Sequence, residues 1–404
     1  MLQRILDRLL LRRHFWRYAT FGEVADLYAS RLLRLFALKF IGVFTSVFLL
    51  KLGYDLVFLG LFWAAFYFIK VLFAWPSARI AAHFGPKHGT LYSNILSAIA
   101  LIFLPFVPTI GLPALIAWCM LQAFSSCLND LCYLIDFSKV KTVEYAGKEI
   151  GYMNIIEKVA AGLSPVIGGV VAALFGPIVA MVLSAIMFLL SAVPLFRTAE
   201  PVRLRQKLQF RSFPWRMTLP SIMAEASIGY DVFATGSAWM MYITVVLFAA
   251  DHNEVYAKIG VFTSLTLVIA MIASHIFGKL IDRRQGLLLL QTNTVINSLA
   301  HLSRPFVTSI AGVVGTGAVN DVATTGYSMA FTRGMFDTAD LSGHRIVYLF
   351  LIEVAINAGA ALSCLAFAFC LSVYSQSAGF MVYFISTAII TLGIGFPRFM
   401  LYRK

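Results

Sequence analysis

Arg31, Arg34 and Lys39 fall within SRLLRLFALKF, the head of an apolar run long enough to cross a bilayer. A cation at mid-bilayer costs roughly 2.5–3.5 kcal/mol or more, so these three need water or acids around them. Acids recur in the same setting: Asp130 and Asp136 in CLNDLCYLIDF, Glu157 beside Lys158, then Glu225, Asp231, Asp321 and Glu353. Ionisable groups of both signs inside apolar helices can bind a charged solute, lock one another as ion pairs, or relay protons. Carboxyls shielded from water can exchange protons near neutral pH.

The elements that carry these groups are membrane spans. Of 404 residues 60% are hydrophobic and 13% charged, with a mean hydropathy of +0.83. Apolar runs bounded by charge, Gly or Pro lie near 30–50, 56–75, 91–108, 112–137, 150–174 and 178–196. They resume near 218–248, 255–277, 287–303, 306–332, 344–373 and 378–400. The predicted fold class is an all-α membrane protein with twelve transmembrane helices. The run at 287–303 is the most polar, because of QTNTVINSLAH.

The net charge of +13 is an orientation signal rather than a nucleic-acid footprint, because the cations alternate between the loops. The N-terminal tail, the loops with Arg79 and Lys87, with Lys139, Lys141 and Lys148, and with Lys279, Arg283 and Arg284 fall on one side. So do the linker from Arg197 to Met217 and the C-terminus, whereas Lys51, Lys258 and Arg304 fall on the other. By the positive-inside rule both termini are cytoplasmic. The expected location is the plasma membrane as a multi-pass protein, with a bacterial inner membrane expected; the lack of any N-x-[ST] acceptor permits that origin.

MLQRILDRLLLRRHFWR lacks the uncharged apolar core of a cleavable signal, and its Leu and Ile spacing fits a basic helix on the membrane surface. A solvated basic tail is the competing reading. The five cysteines all lie in apolar runs and suggest neither disulfides nor a metal site. Without an HExxH, G-x-S-x-G or P-loop pattern, neither an enzyme nor an ATP-driven pump is expected.

Local patterns recur in order in the two halves. ARIAAHFGPK is followed by GKLIDRRQG, LND at Asn129–Asp130 by VND at Asn320–Asp321, FSK by FTR, and IIE ending at Glu157 by LIE ending at Glu353. The expected organisation is a basic amphipathic segment 1–29, a six-helix bundle 30–196, a linker 197–217 and a second six-helix bundle 218–404.

On these features the chain resembles a major facilitator superfamily transporter across all twelve spans. The second-half copy of the family's G-x-L-x-D-R-x-G-[RK] loop is carried by Gly278, Leu280, Asp282 and Arg283. The first-half copy keeps Gly85, has Lys87 one place late, and replaces the acid by Ala82. These residues are the expected cytoplasmic gate loops, although the first latch loses its acid. GLSPVIGG, from Gly162 to Gly169, is similar to a G-P-x-x-G-G element of the family's antiporters; ordinary close helix packing is the competing reading.

The resemblance implies that spans 1, 4, 7 and 10 line a central cavity. Lys39, Arg34, Asn129, Tyr133 and Asn320 are then the substrate-binding candidates. Asp231 and Asp321, followed by Asp130 and Glu353, are the proton-coupling candidates, with static ion pairs as the alternative for each. Arg34 and Lys39 stand about 140° apart on a helical wheel, so one straight helix cannot aim both at the cavity. Arg31 is expected to reach back to the membrane surface.

The function expected is secondary transport of a small organic solute by alternating access, as proton-coupled export of an amphipathic or cationic compound. An importer or uniporter of a zwitterionic or anionic solute, a lipid flippase, and a non-transporting sensor are the alternatives. The implied partners are the solute, protons and membrane lipids. No nucleic acid, cofactor or metal is expected, and a monomer would suffice.

Overall fold

Inside hydrocarbon each backbone N–H and C=O must be bonded within its own segment, so the apolar runs have to be helices. The computed structural model describes residues 21–42, 45–140, 146–197, 208–247 and 255–402. The first six helices are α1 (Phe21–Gly42), α2 (Leu56–Phe84), α3 (Pro86–Phe103), α4 (Leu112–Val140), α5 (Ala146–Phe175) and α6 (Pro177–Ser191). The last six are α7 (Trp215–Phe233), α8 (Val255–Asp282), α9 (Gly286–Ser303), α10 (Ile310–Leu341), α11 (Arg345–Val373) and α12 (Gln376–Thr391). Odd-numbered helices begin at what we term the proximal face and even-numbered ones end there; the opposite face is distal. A short helix, Thr45–Lys51, follows α1, and π turns at Ala234–Ala238 and Ile243–Leu247 extend α7.

Among the described residues, seven helices are long and apolar enough to cross a membrane unaided. Helices α1, α7, α8, α9 and α10 are not among them, and α1, α7, α9 and α10 carry Arg34, Asp231, Asn297 and Asn320 within the membrane-depth runs. They depend on their neighbours to shield polar faces. Large apolar side chains such as Phe68, Leu72, Ile272, Leu299, Phe369 and Ile389 point outward instead. Such a belt suits lipid tails.

Chain direction is set by local signals. The Asp55 side chain accepts from Phe58 N–H at 2.6 Å to start α2, and Ser309 accepts from Gly312 N–H at 3.1 Å to start α10. Gly85, at φ +93°, turns α2 into α3, and Pro86 supplies the first residue of the new helix. The internal duplication extends further than the loop patterns. Helices α3 and α9 both end in a 3-10 turn, Leu104–Phe106 and Arg304–Phe306, and both continue through Pro, Phe and Val.

Within each half, small residues let backbones meet. Ser164 donates to the Phe36 carbonyl, and Gly168 lies against the Phe40 carbonyl, so the GLSPVIGG element packs α5 onto α1. Ser184 of α6 donates to the Ala37 carbonyl at 2.7 Å. In the other half Gly229 of α7 and Gly359 of α11 cross so closely that a Cβ on either would collide with the carbonyl of Ile356 or Ala226. Gly229→Val is therefore expected to destabilise the fold by about 3 kcal/mol or more. The readout is the melting temperature of purified protein, and an unchanged value would contradict the crossing.

Two seams join the halves. Gly60 of α2 lies against Ala368 of α11, and further along Trp75 meets Phe350 at 5.9 Å. Phe210, between α6 and α7, packs on both of those rings at 5.9 and 6.2 Å. Helices α5 and α8 meet at the proximal face. There Gly147 N–H donates to Asp282 Oδ1 at 3.0 Å, and a side chain on Gly147 would strike Asp282 and Gly278. Phe137 and Phe336 add a contact between α4 and α10, with ring centroids 5.6 Å apart.

Three expectations change. Helix α1 starts at Phe21, ahead of the apolar run at 30; residues 1–20, where a surface helix was expected, lie outside the described residues. Arg304 was assigned to a distal loop, yet it is completely buried and is the largest fully buried side chain described. Its burial is sustained by hydrogen-bond acceptors on α7, α9 and α10. The Lys51 and Lys258 side chains, assigned to the same distal side, lie outside the described set. Arg31 turns inward rather than reaching the surface, because Glu157 and Tyr133 receive it.

Candidate substrate cavity

A cavity of about 460 Å³ lies between the halves, walled chiefly by α1, α2, α4, α7 and α11. Its basic lining groups are Arg31, Lys39 and Lys70, and its acidic ones Asp130, Glu225 and Glu353. Among the described residues acids and bases line the wall in equal number, so the lining itself does not favour the cationic solute that was expected. Trp63, Phe66 and Trp118 form an aromatic face, with Phe66 stacked on Trp118 at 6.3 Å and meeting Trp63 edge-on at 5.3 Å. Trp63 Nε1–H is held by Ser46 Oγ at 3.0 Å.

Lys70 comes from α2, an apolar helix in which no other charge precedes Arg79. Its Nζ lies 3.1 Å from Asp130 Oδ2 on α4 and 3.5 Å from Glu353 Oε1 on α11, so this trio spans both halves. Glu353 is shielded, with 4% of its side chain exposed, and accepts from Asn357 Nδ2 at 2.7 Å. Asp130 leaves 40% of its side chain open to the cavity. Asn129, next to it, is buried and donates to Asp130 Oδ1 at 3.4 Å.

Arg31 offers Nε and Nη2 to Glu157 Oε1 at 3.1 and 2.9 Å, and its guanidinium carbon sits 3.9 Å from the Tyr133 ring centroid. Lys39 lines the cavity without a hydrogen bond or ion pair among the described residues. Glu225 also lines it; the residue is 8% exposed and its Oε2 has no hydrogen-bond partner.

Arg34 lies off the cavity wall. Its guanidinium turns into the seam of α1, α3 and α4, where it bonds to Asn94 Oδ1, to Ser93 Oγ at 3.3 Å and to Ser125 Oγ at 3.3 Å. The wheel angle between Arg34 and Lys39 is the reason: with Lys39 facing the cavity, Arg34 has to face the bundle interior.

Asp231 and Asn320 lie off the wall as well, in a matching seam of the second half. Asp231, 1% exposed, receives His301 Nε2, the Tyr327 hydroxyl and, at 3.1 Å, the Thr235 hydroxyl. Arg304 donates to His301 Nδ1 at 2.8 Å, to the Ala234 carbonyl at 3.1 Å and to Asn320 Oδ1 at 3.1 Å. Asn320 in turn donates to Asn297 Oδ1 at 2.6 Å. A guanidinium can only donate, so His301 Nδ1 must accept and Nε2–H must point at Asp231. The Arg304 guanidinium carbon lies over the Trp239 ring, 4.9 Å from its centroid. Asp321, half-buried on α10, likewise does not line the cavity.

At the expected gate loops, Gly85 is the left-handed turn and Lys87 is buried at the start of α3. Gly278 and Asp282 meet Gly147 across the halves, and Arg283 is exposed.

Lys70, His301, Arg304 and Tyr327 had not been singled out. A lone lysine deep in α2 was a usable signal for the first. For Arg304 the signal was its place in a repeated x-Pro-Phe-Val turn where the first copy has Leu104.

A family profile described as Major Facilitator Superfamily matches residues 27–363. Among solved structures, the human organic anion transporter MFSD10 (TETRAN) superposes with a TM-score of 0.68 at 12% identity, over 92% of this chain and 99% of that one. The transporter FucP in the outward conformation superposes with a TM-score of 0.66 at 14% identity, over 93% and 98%. At these identities the likeness is one of fold. No curated protein matches the chain by sequence.

Proposed function

The chain belongs to the major facilitator superfamily, and on that premise we propose that it is a proton-coupled secondary transporter that exports a small organic solute through the central cavity. The observation that carries this reading is Lys70 between Asp130 and Glu353. One ammonium cannot neutralise two carboxylates, so the trio holds either a net negative charge or one proton. Asp130 is the member open to the cavity and is the entry point for that proton. Because the trio bridges α2, α4 and α11, its proton count alters attraction between the two halves, which is what coupling to a rocking motion needs. A proton on the trio and a solute's cationic group in the same cavity repel, so the two are carried in turn, which gives exchange rather than co-transport.

Alternating access requires the proximal seam at Gly147, Gly278 and Asp282 to part while the cavity persists. The proposed transporter is a monomer, with both termini cytoplasmic in the plasma membrane. A second reading, organic-anion transport, is favoured by Lys39, and the human structural neighbour carries that description.

The test uses proteoliposomes loaded with a pH-reporting dye, given solutes that raise the melting temperature of the purified protein. Solute movement is expected to drive counter-movement of protons. Glu353→Gln should retain solute exchange at equal concentrations on both sides and lose about tenfold or more of the proton flux. Wild-type solute movement unaccompanied by protons would overturn the coupling.

A further inference from the structure

Outside the proton-sharing trio, two cavity groups are left over once the internal pairs are assigned, one basic and one acidic. Arg31 is satisfied by Glu157, and Lys70 by Asp130 and Glu353. Lys39, on α1 of the first half, has no ion-pair partner among the described residues. Glu225, on α7 of the second half, is more than nine-tenths buried with Oε2 unbonded. Both line the same cavity of about 460 Å³ and do not pair with each other, so a solute of matching length can contact both. Ionising either group alone in a low-dielectric site is costly, and a ligand that brings the complementary charge offsets that cost.

We infer that the cavity takes an aromatic zwitterion, its anionic group on Lys39, its ammonium on Glu225, and its ring against the Trp63–Phe66–Trp118 face. This rests on the transport reading and names the solute class for that same cavity. Neither a simple cation nor a simple anion satisfies both leftover groups. Binding of such a solute also ties α1 of one half to α7 of the other, so a filled cavity draws the halves together.

Binding to the purified full-length protein in nanodiscs is measured for three matched compounds: 4-(2-aminoethyl)benzoate, phenethylamine and 4-ethylbenzoate. Phenylalanine is added as a zwitterion of shorter charge separation. At least one zwitterion is expected to bind about tenfold to a hundredfold more tightly than either singly charged compound, the worth of one charge-assisted contact. Lys39→Ala is expected to erase its advantage over phenethylamine, and Glu225→Gln its advantage over 4-ethylbenzoate. Lys39→Arg should keep it, and melting temperatures verify that each variant is folded.

A singly charged analogue that binds as tightly as both zwitterions would overturn the inference, as would binding of none of the four, or equal weakening of all of them in either variant. The failures are separable. A singly charged solute that still exchanges for protons, with dependence on Glu353, leaves the transport reading standing and removes only the zwitterion. Movement without protons removes the coupling, whichever solute is moved.

Discussion

Lys70→Met is expected to cost about 3–5 kcal/mol of stability and to abolish proton-coupled transport, because it leaves two inward carboxylates without a cation. Lys70 is 7% exposed and is within 3.5 Å of both acids, so no solvent shell can replace it. The prediction has internal structure. Adding Glu353→Gln to Lys70→Met removes the shielded carboxylate and leaves Asp130, which already has 40% of its side chain open. That double variant should regain most of the lost stability, with a double-mutant coupling of about 1–3 kcal/mol. It should not regain coupled transport, since the proton-sharing trio is gone. Melting curves and dye-loaded proteoliposomes read the two effects separately. Lys70→Met that carries protons and solute at the wild-type ratio would show the trio to be only a structural bridge.

The helical architecture was legible in the sequence because the bilayer imposes a length and forbids unpaired backbone, and both constraints act residue by residue along α2, α5 or α11. The duplication was legible because the loop and acid patterns recur in order. Side-chain direction was harder to read. The wheel separated Arg34 from Lys39, and the mid-helix place of Lys39 favoured it for the cavity, but the acceptors that draw Arg34 away, Asn94, Ser93 and Ser125, come from other helices. Arg31 was expected at the surface since nothing near it in sequence reveals Glu157 on α5 or the Tyr133 ring on α4. Arg304 misled for a related reason. A cation before proline at the end of a polar span looks like a loop residue until the second-half seam is assembled around it. Charges whose partners lie on distant helices are the part of the site that local sequence leaves undetermined.

That same seam bears the second large prediction, which separates two roles for Asp231. The sequence put Asp231, together with Asp321, first among the proton carriers. In the fold its carboxylate is held by His301, Tyr327 and Thr235, with Arg304 behind His301, and none of these lines the cavity. A proton reaching Asp231 would have to disrupt a network in which the only orientation open to His301 is already fixed. We therefore expect Arg304→Leu, which installs the residue of the first-half copy, to destabilise by about 3–5 kcal/mol by leaving the Asp231 charge buried. Asp231→Asn alone should also destabilise, while Arg304→Leu with Asp231→Asn should recover much of the loss, because a neutral network has no stranded charge. Whatever folded Asp231→Asn protein is recovered should move protons and solute at the wild-type ratio, in contrast to Glu353→Gln. A well-folded Asp231→Asn variant that moves solute without protons would reverse the assignment, making Asp231 the coupling group and Lys70 with its two acids the static bridge between the halves.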